Sequence, residues 1–310
     1  MADLLTSWRD TATRRAIESF VDSVTSGSAA VPVPERVAVF DNDGTLWTEK
    51  PMPTQLAYVT EQWRARLAED RSLASRQPYL AVASGDLSWI GAAVDKHYAG
   101  DDTDLHILIG AIVEVTKDLS VDAYASSVGE FYRTAQHPTL TRPYAQTVYR
   151  PMVELLRYLE AHDFTCYIVS AGERDFMRPM AEDYYGIPPE RVIGSAYGLT
   201  YDETSAEVRY GTSLEFFDDG PEKPVRIWSR IGRRPIFAAG NANGDMPMLD
   251  FALGAATGFG LIVHHDDHTG RGDTPYDKGA EKALAESGER GYTVVSVADD
   301  WSSVFPDATV

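Results

Sequence analysis

Apolar residues along this chain come in short unbroken runs, and several of the runs stop abruptly at polar or small residues. Runs without alternation fit strands buried on both faces of a parallel sheet. The pattern predicts strands at residues 37–41, 164–170, 191–194, 235–240, 261–264 and 292–297. Between them, apolar residues recur at helical spacing. Residues 1–24 carry Leu5, Trp8, Ile17, Phe20, Val21 and Val24 in that way, which predicts an amphipathic helix packed on the core. A Ser/Ala/Pro-rich connector, residues 26–34, leads into the first strand. After Tyr149, a helix with Met152, Val153, Leu155, Leu156 and Leu159 leads to the second strand. Residues 198–211 alternate through Leu199, Tyr201, Val208 and Tyr210 as a small hairpin would.

Strand and helix in alternation argue for an α/β fold, a doubly wound parallel sheet with helices on both faces. The stretch from Thr48 to Arg150 is different. It predicts helices at 53–69, 87–97 and 121–135, while 105–115 fits either a strand or a buried helix. Turn signals at Gly85-Asp86, Gly100-Asp101-Asp102 and His137-Pro138 punctuate it. The expected organisation is a core of residues 1–47 and 150–310 with a mainly helical insertion at 48–149. Open sheets of this class bind ligands beyond the carboxyl ends of their strands. Asp41, Ser170 and Asp245 all stand at or just past such ends, so one pocket can gather them.

Composition narrows the field. The 310 residues carry a formal charge of −19 and are 44% hydrophobic, enough for a sizeable core. That charge repels nucleic acid. It also repels phosphorylated ligands at long range, so any phosphate site must be locally positive through a metal ion, Lys223 or helix N-termini. Cys166, the single cysteine, permits no internal disulfide and agrees with a reducing, cytoplasmic setting. It sits mid-strand, where a packed thiol is expected. No apolar run reaches the ~20 residues of a membrane span, and the N-terminus has no secretory pattern, so no membrane partner is expected.

The candidate chemistry lies in four segments. The first strand ends in Asp41-Asn42-Asp43-Gly44-Thr45, two carboxylates spaced i, i+2 before a turn: a nucleophile, a proton-transfer group and the start of a metal site. The second ends in Ser170, followed by Ala171-Gly172. Lys223 stands in Gly220-Pro221-Glu222-Lys223-Pro224, at the start of an amphipathic stretch. A third apolar strand ends in Gly240-Asn241, with Asp245 four residues on. In this order the segments resemble the motifs of the haloacid dehalogenase-like hydrolase superfamily, over residues 35–47 and 150–265, in its phosphoserine phosphatase-like branch.

The resemblance implies a helical cap closing over the core and a Mg2+-dependent phosphatase acting on a small phosphorylated metabolite. Asp41 would be the nucleophile, forming an aspartyl-phosphate, and Asp43 the general acid and then base. Lys223 would balance charge on Asp41 and the phosphoryl group. Ser170 with the backbone N–H groups of Ala171 and Gly172 would hold phosphate oxygens, with Lys50 and Arg174 as competing cations. Asp41, the Asp43 backbone carbonyl and Asp245 would hold Mg2+. Asn241 departs from the usual Asp; it can accept a metal contact or bind the metal's water, but it carries no charge. Glu49, just after the first motif, would meet an amine on the substrate, and Gln55 is also within reach of it. A carbon–halogen hydrolase of this superfamily lacks the second Asp, so Asp43 argues against that reaction. A phosphotransferase and an inactive binding protein are the alternatives. His264-His265-Asp266-Asp267-His268 has a metal-like composition, but neighbours on a strand point to opposite faces and cannot all converge. A polar loop is expected there.

Overall fold

A computed structural model describes residues 3–28 and 30–307. Met1 and Ala2 of the expected first helix, and Ala29 of the connector, lie outside the described residues. In chain order the elements are α1 (Ala12–Thr25), β1 (Val37–Phe40), α2 (Thr54–Glu69), α3 (Tyr79–Ser84), α4 (Ser88–Tyr98), α5 (Thr103–Thr116) and α6 (Val121–Thr134). Then come α7 (Arg150–Glu160), β2 (Thr165–Glu173), α8 (Arg174–Tyr185), β3 (Val192–Asp202), β4 (Glu207–Phe216), α9 (Glu222–Ile231) and β5 (Phe237–Gly240). The chain closes with α10 (Met246–Leu253), β6 (Phe259–His264), α11 (Glu281–Arg290), β7 (Thr293–Ser296) and α12 (Val297–Asp300). Two compact units divide these elements: Met1–Pro51, Tyr132–Ser195 and Phe217–Val310 form the first, and Met52–Phe131 and Ala196–Phe216 the second.

The first unit is built on parallel strands in the order β3-β2-β1-β5-β6-β7. The chain starts in the middle at β1, winds outward to β3, returns to β5 and winds outward again. The direction of winding therefore reverses between β1 and β5, where an open α/β sheet leaves a crevice for ligand. Both strands are buried at every position, which explains their unbroken apolar runs. Their alternate residues serve different layers. Val37, Val39 and Ala238 join Ile227, Met248, Leu249 and Ile262 beneath α9 and α10. On the other face Phe40 and Phe237 pack at 5.4 Å, and Phe20 of α1 reaches Phe237 and Phe259 at 6.0 and 5.0 Å.

The helix expected over residues 1–24 begins only at Ala12, where the Thr11 side chain caps it by accepting from the Arg14 N–H. Leu5 and Trp8 are buried, but ahead of the helix. The Trp8 indole donates to the Pro151 carbonyl at 2.8 Å, and the Arg9 N–H is committed to Asp300. Their apolar spacing marked core contact and not a helix.

In the second unit, 105–115 resolves as the helix α5. Leu105, Leu108, Ala111 and Val115 are buried at helical spacing while Ile107 is 46% exposed. The short helix α3 ends at Gly85, which takes the left-handed conformation and gave no periodic signal. The alternating segment forms a hairpin: Leu199 pairs with Tyr210 and Tyr201 with Val208. The Asp118 N–H donates to Tyr210, the Tyr210 N–H donates to Leu119, and the Tyr210 ring packs edge-on against Tyr124 at 5.1 Å. The hairpin thus belongs with the helices. Among the described residues no helix is long and apolar enough to cross a membrane.

One buried acid of the first unit has no balancing contact. The Asp218 N–H donates to Ser195 Oγ at 2.9 Å, and that hydroxyl donates to the Ala171 carbonyl at 2.7 Å. The Asp218 carboxylate is fully buried, and neither oxygen has a hydrogen-bond partner among the described residues. Burial pushes its pKa up from 3.8 to about 7, against the pull of Lys223 and Arg226. The unfolded chain therefore releases this proton at lower pH than the folded one, and the group's contribution to stability falls as pH rises from about 4 through 7. Replacing Asp218 with Asn should stabilise the protein, and the gain should grow by roughly 2 kcal/mol between pH 5 and pH 8. Urea unfolding of both proteins at the two pH values measures this, and an equal difference at both refutes it.

Candidate active site

Asp41 follows β1 directly, and its N–H still donates to Ala239 of β5 at 2.9 Å. The chain then turns sharply, because the Asn42 carbonyl accepts from Thr45 and Leu46. Gly44 takes φ +82°, and a methyl group there would stand 2.1 Å from Asn241 Nδ2. Glycine is required twice over, by the backbone conformation and by the approach of the Asn241 loop.

Lys223 is the second residue of α9 and is 2% exposed. Its ammonium donates to Asp41 Oδ1 at 2.8 Å, Asp245 Oδ1 at 2.5 Å and the Val169 carbonyl at 3.2 Å, using all three protons. The remaining oxygen of Asp245 accepts from the Asn241 and Ala242 N–H groups, each at 2.9 Å. Three residues far apart in sequence thus converge at the point where the winding reverses. Burial and then the Asp245 charge push the Asp41 carboxyl well above its ordinary value, against the pull of Lys223. Burial alone would lower Lys223, but Asp245 and Asp41 outweigh it and hold the ammonium well above its usual range.

Asp43 is held from the side. The Trp47 indole donates to its Oδ1 at 2.8 Å, and Trp47 is buried with Tyr132, Tyr144 and Tyr184 around it. A methyl group on Gly172 would lie 3.6 Å from Asp43 Oδ2 and 3.4 Å from Ser170 Oγ, which brings the Ser170 segment alongside. Strand β2 does not stop at Ser170 but runs to Glu173, with its pairing to β3 shifted between those residues. Ser170 Oγ accepts from the Gly172 N–H at 3.1 Å. Glu173 caps α8, accepting from the Asp175 and Phe176 N–H groups, and burial pushes its pKa up to about 8.

The competing cations have partners of their own, and Lys50 pairs with Glu49 at 3.4 Å. Arg174 forms a two-point contact with Asp175 at 3.0 and 3.1 Å, and the Lys50 ammonium lies 3.9 Å above the Tyr276 ring. Glu49 stands beside Asn241: the Asn241 amide donates to Glu49 Oε1 at 3.3 Å and to the Tyr276 hydroxyl at 3.2 Å. Asn241 Oδ1 accepts from Thr45 Oγ1 at 3.1 Å. Gln55, in the second unit, donates to the Tyr197 hydroxyl at 3.2 Å.

The donors gathered at Asp41 are all oxygens, as a hard cation prefers. Among the described residues, however, no three Asp, Glu, His or Cys side chains are set out to hold a metal. Asp245 is occupied on both oxygens.

The histidine run divides as strand alternation requires. His264 turns outward to Asp277 at 2.8 Å, while the His265 side chain is 1% exposed and turns inward. Its Nδ1 meets Asp273 Oδ2 at 2.6 Å and its Nε2 meets the Gly44 carbonyl at 2.7 Å. Burial pulls the imidazole down, but Asp273 and the Gly44 carbonyl outweigh it and leave its pKa raised. The polar-loop reading missed this residue. Alternation alone would have set it opposite His264, but nothing in the local sequence pointed to Asp273 or Tyr276.

The family model of haloacid dehalogenase-like hydrolases matches residues 38–250 of the chain. Among solved structures, a conserved protein of unknown function from Anaerococcus prevotii DSM 20548 is similar over 98% of both chains, at 17% identity and a TM-score of 0.59. A protein of unknown function from Bordetella pertussis Tohama I is similar over 84% of this chain and 98% of its own, at 17% identity and a TM-score of 0.54. Cytosolic 5'-nucleotidase IIIB bound to cytidine is similar over 94% of this chain and 88% of its own, at 13% identity and a TM-score of 0.52. At these identities the likeness is one of fold. None of the curated proteins matches the chain.

Removing one partner of a buried ion cluster leaves the others uncompensated. Lys223→Met should cost about 3–5 kcal/mol of stability at pH 8, and less at pH 5, where Asp41 can take a proton. Urea unfolding at the two pH values checks this; a pH-independent loss would show that Lys223 acts by packing alone.

Proposed function

Since this chain belongs to the haloacid dehalogenase-like hydrolase family, we propose that it hydrolyses a small phosphomonoester through an aspartyl-phosphate on Asp41. One observation carries the reading: the buried Lys223 ammonium joins Asp41 to Asp245, while Asp43 is held two residues beyond the nucleophile. A carboxylate can carry a phosphoryl group and so divide a very slow reaction into two easier steps. Lys223 occupies Asp41 Oδ1, so Oδ2 attacks phosphorus. The leaving alkoxide takes its proton from Asp43, and Asp43 then takes one from the water that cleaves the aspartyl-phosphate. Ser170 accepts from the Gly172 N–H, which is thereby engaged, and keeps its own proton to donate to a phosphate oxygen, beside the Ala171 backbone. Lys223 steadies the charge that develops on the phosphoryl group.

Mg2+ would be held by Asp41, the Asp43 backbone carbonyl and the Asn241 side-chain oxygen, with Asp245 behind them; bound there, it would neutralise the incoming dianion. Asn241 supplies an oxygen but no charge, and Glu49, which accepts from its amide at 3.3 Å, is a further acid beside it. The second unit enters the chain at Met52, directly after the catalytic loop. We assign it the role of a cap that reads the leaving group. The single free cysteine, Cys166, is buried and agrees with a reducing, cytoplasmic setting.

Phosphate release from a panel of phosphorylated metabolites tests the proposal. Asp41→Asn should leave no turnover above background, and Asp43→Asn should lower kcat by about 10²–10⁴-fold. EDTA should stop the reaction and Mg2+ restore it. Turnover by Asp41→Asn near that of wild type, or full activity in chelator, would sink the assignment.

Glu49 keeps a side-chain exposure of 19% and pairs with the Lys50 ammonium at 3.4 Å; it is the candidate to meet a positive group on the substrate in place of that lysine. With an amine-bearing substrate, Glu49→Gln should lower kcat/KM by roughly 10- to 150-fold, while a neutral aryl phosphate should be nearly unaffected. Equal losses on both would mean that Glu49 serves Asn241 and does not read the substrate.

A further inference from the structure

The run His264-His265-Asp266-Asp267-His268 plays no part in the reaction just described, yet its second residue touches the catalytic loop. The His265 ring is fixed on every side. Tyr276 stacks on it at 4.6 Å with planes 11° apart, and Tyr149 packs against it at 5.4 Å. Nδ1 meets the Asp273 carboxyl and Nε2 the Gly44 carbonyl. A carbonyl can only accept, so Nε2 carries a proton and donates it to Gly44. The Tyr149 hydroxyl donates to the other oxygen of Asp273 at 2.9 Å. The line Tyr149, Asp273, His265, Gly44 is continuous, buried and hydrogen-bonded throughout.

Its end point is the residue with the most conformational freedom in the loop. Gly44 has no side chain to restrain it and sits at φ +82°. Its N–H donates to the Trp47 carbonyl at 2.8 Å, and its carbonyl accepts from His265 at 2.7 Å. Peptide groups are planar, so these two bonds fix the planes on both sides of Gly44. The plane before it contains the Asp43 carbonyl. The plane after it leads to Thr45, whose hydroxyl bonds Asn241.

We propose that His265, anchored by Asp273, is a positioning residue of this active site: it clamps the Gly44 carbonyl and so sets where Asp43 and Asn241 stand. It touches no reacting atom. The inference rests on the phosphatase reading for its kinetic consequence, but the clamp itself is a statement about the loop.

Two variants separate the bonds. In His265→Gln the amide nitrogen lies near the former Nε2 and can still reach Gly44. In His265→Asn it lies near the former Nδ1 and reaches only Asp273. Misplacing reacting groups by about 1 Å can cost up to 10²-fold. His265→Asn should therefore lower kcat on a generic aryl phosphate by about 10- to 100-fold, with KM changed less than about threefold, and His265→Gln should recover most of that loss. Amide hydrogen exchange over residues 37–50 gives a readout that needs no turnover: exchange should quicken in His265→Asn and stay near wild type in His265→Gln.

If both variants lose kcat equally, or if loop exchange is the same in both, the clamp is refuted. If wild type releases no phosphate from any substrate, the phosphatase reading fails, and the exchange comparison alone decides the clamp. Should His265→Asn fail to fold, Tyr149→Phe removes only the outer hydroxyl on Asp273. It should lower kcat about two- to fivefold, the worth of one weakened hydrogen bond; loop exchange and kcat both unchanged would count against the proposal.

Discussion

One buried ammonium holds the centre of this protein together. Lys223 compensates two carboxylates that would otherwise repel each other in a largely buried place, and it does so from the start of a helix whose other buried residue, Ile227, is packed in the core. Desolvating three charges is costly, and two of the three partners offset that cost by hydrogen-bonding to backbone as well. Lys223 reaches the Val169 carbonyl, and Asp245 takes the N–H groups of Asn241 and Ala242. The count is one positive charge against two negative. Burial, and then the Asp245 charge, raises Asp41, and the excess of negative charge makes the place attractive to a further cation.

Around that centre the loop after β1 is tied at successive points by residues from elsewhere in the unit. Tyr185 donates to the Asn42 side chain at 3.0 Å, Trp47 holds Asp43, His265 holds Gly44, and Asn241 receives Thr45. Each bond is ordinary in strength. Together they remove the freedom of a segment that contains a glycine and must place two acids to within a fraction of an ångström.

The fold was legible where burial on both faces left unbroken apolar runs, as in β1 and β5, and where turns carried charge, as at Asp41 and Asp245. Apolar spacing misled where burial is not helical, as at Leu5 and Trp8. The ambiguity at 105–115 could not be settled locally, since a buried strand and a buried helix both look apolar there. Asp41, Lys223 and Asp245 could be proposed for one place because each sits at an element boundary. His265, Asp273 and Tyr276 could not, because their meaning depends on contacts with Gly44 and Asn241, which lie far away in sequence. The hairpin of β3 and β4 was visible as alternation, but its membership of the second unit rests on Tyr210 meeting Asp118, Leu119 and Tyr124, which no sequence pattern encodes.

The central position of β1 has a consequence for how the chain reaches this state. Val37 pairs with Thr165, and Ala38 pairs with Phe237. The strand that leads to Asp41 is made well before the neighbours it pairs with. Contacts of such long sequence separation form slowly. In the second unit, helices adjacent in sequence, α2 with α3 and α4 with α5, pack on each other and can form while β1 is still unpaired. Until β5 arrives, the Asp41 segment has an open edge and an apolar face, features that favour association with other chains. The acid at the end of β1 and the turn beyond it keep that exposed strand short and charged, so the residues placed there for chemistry also guard the chain while it is incomplete.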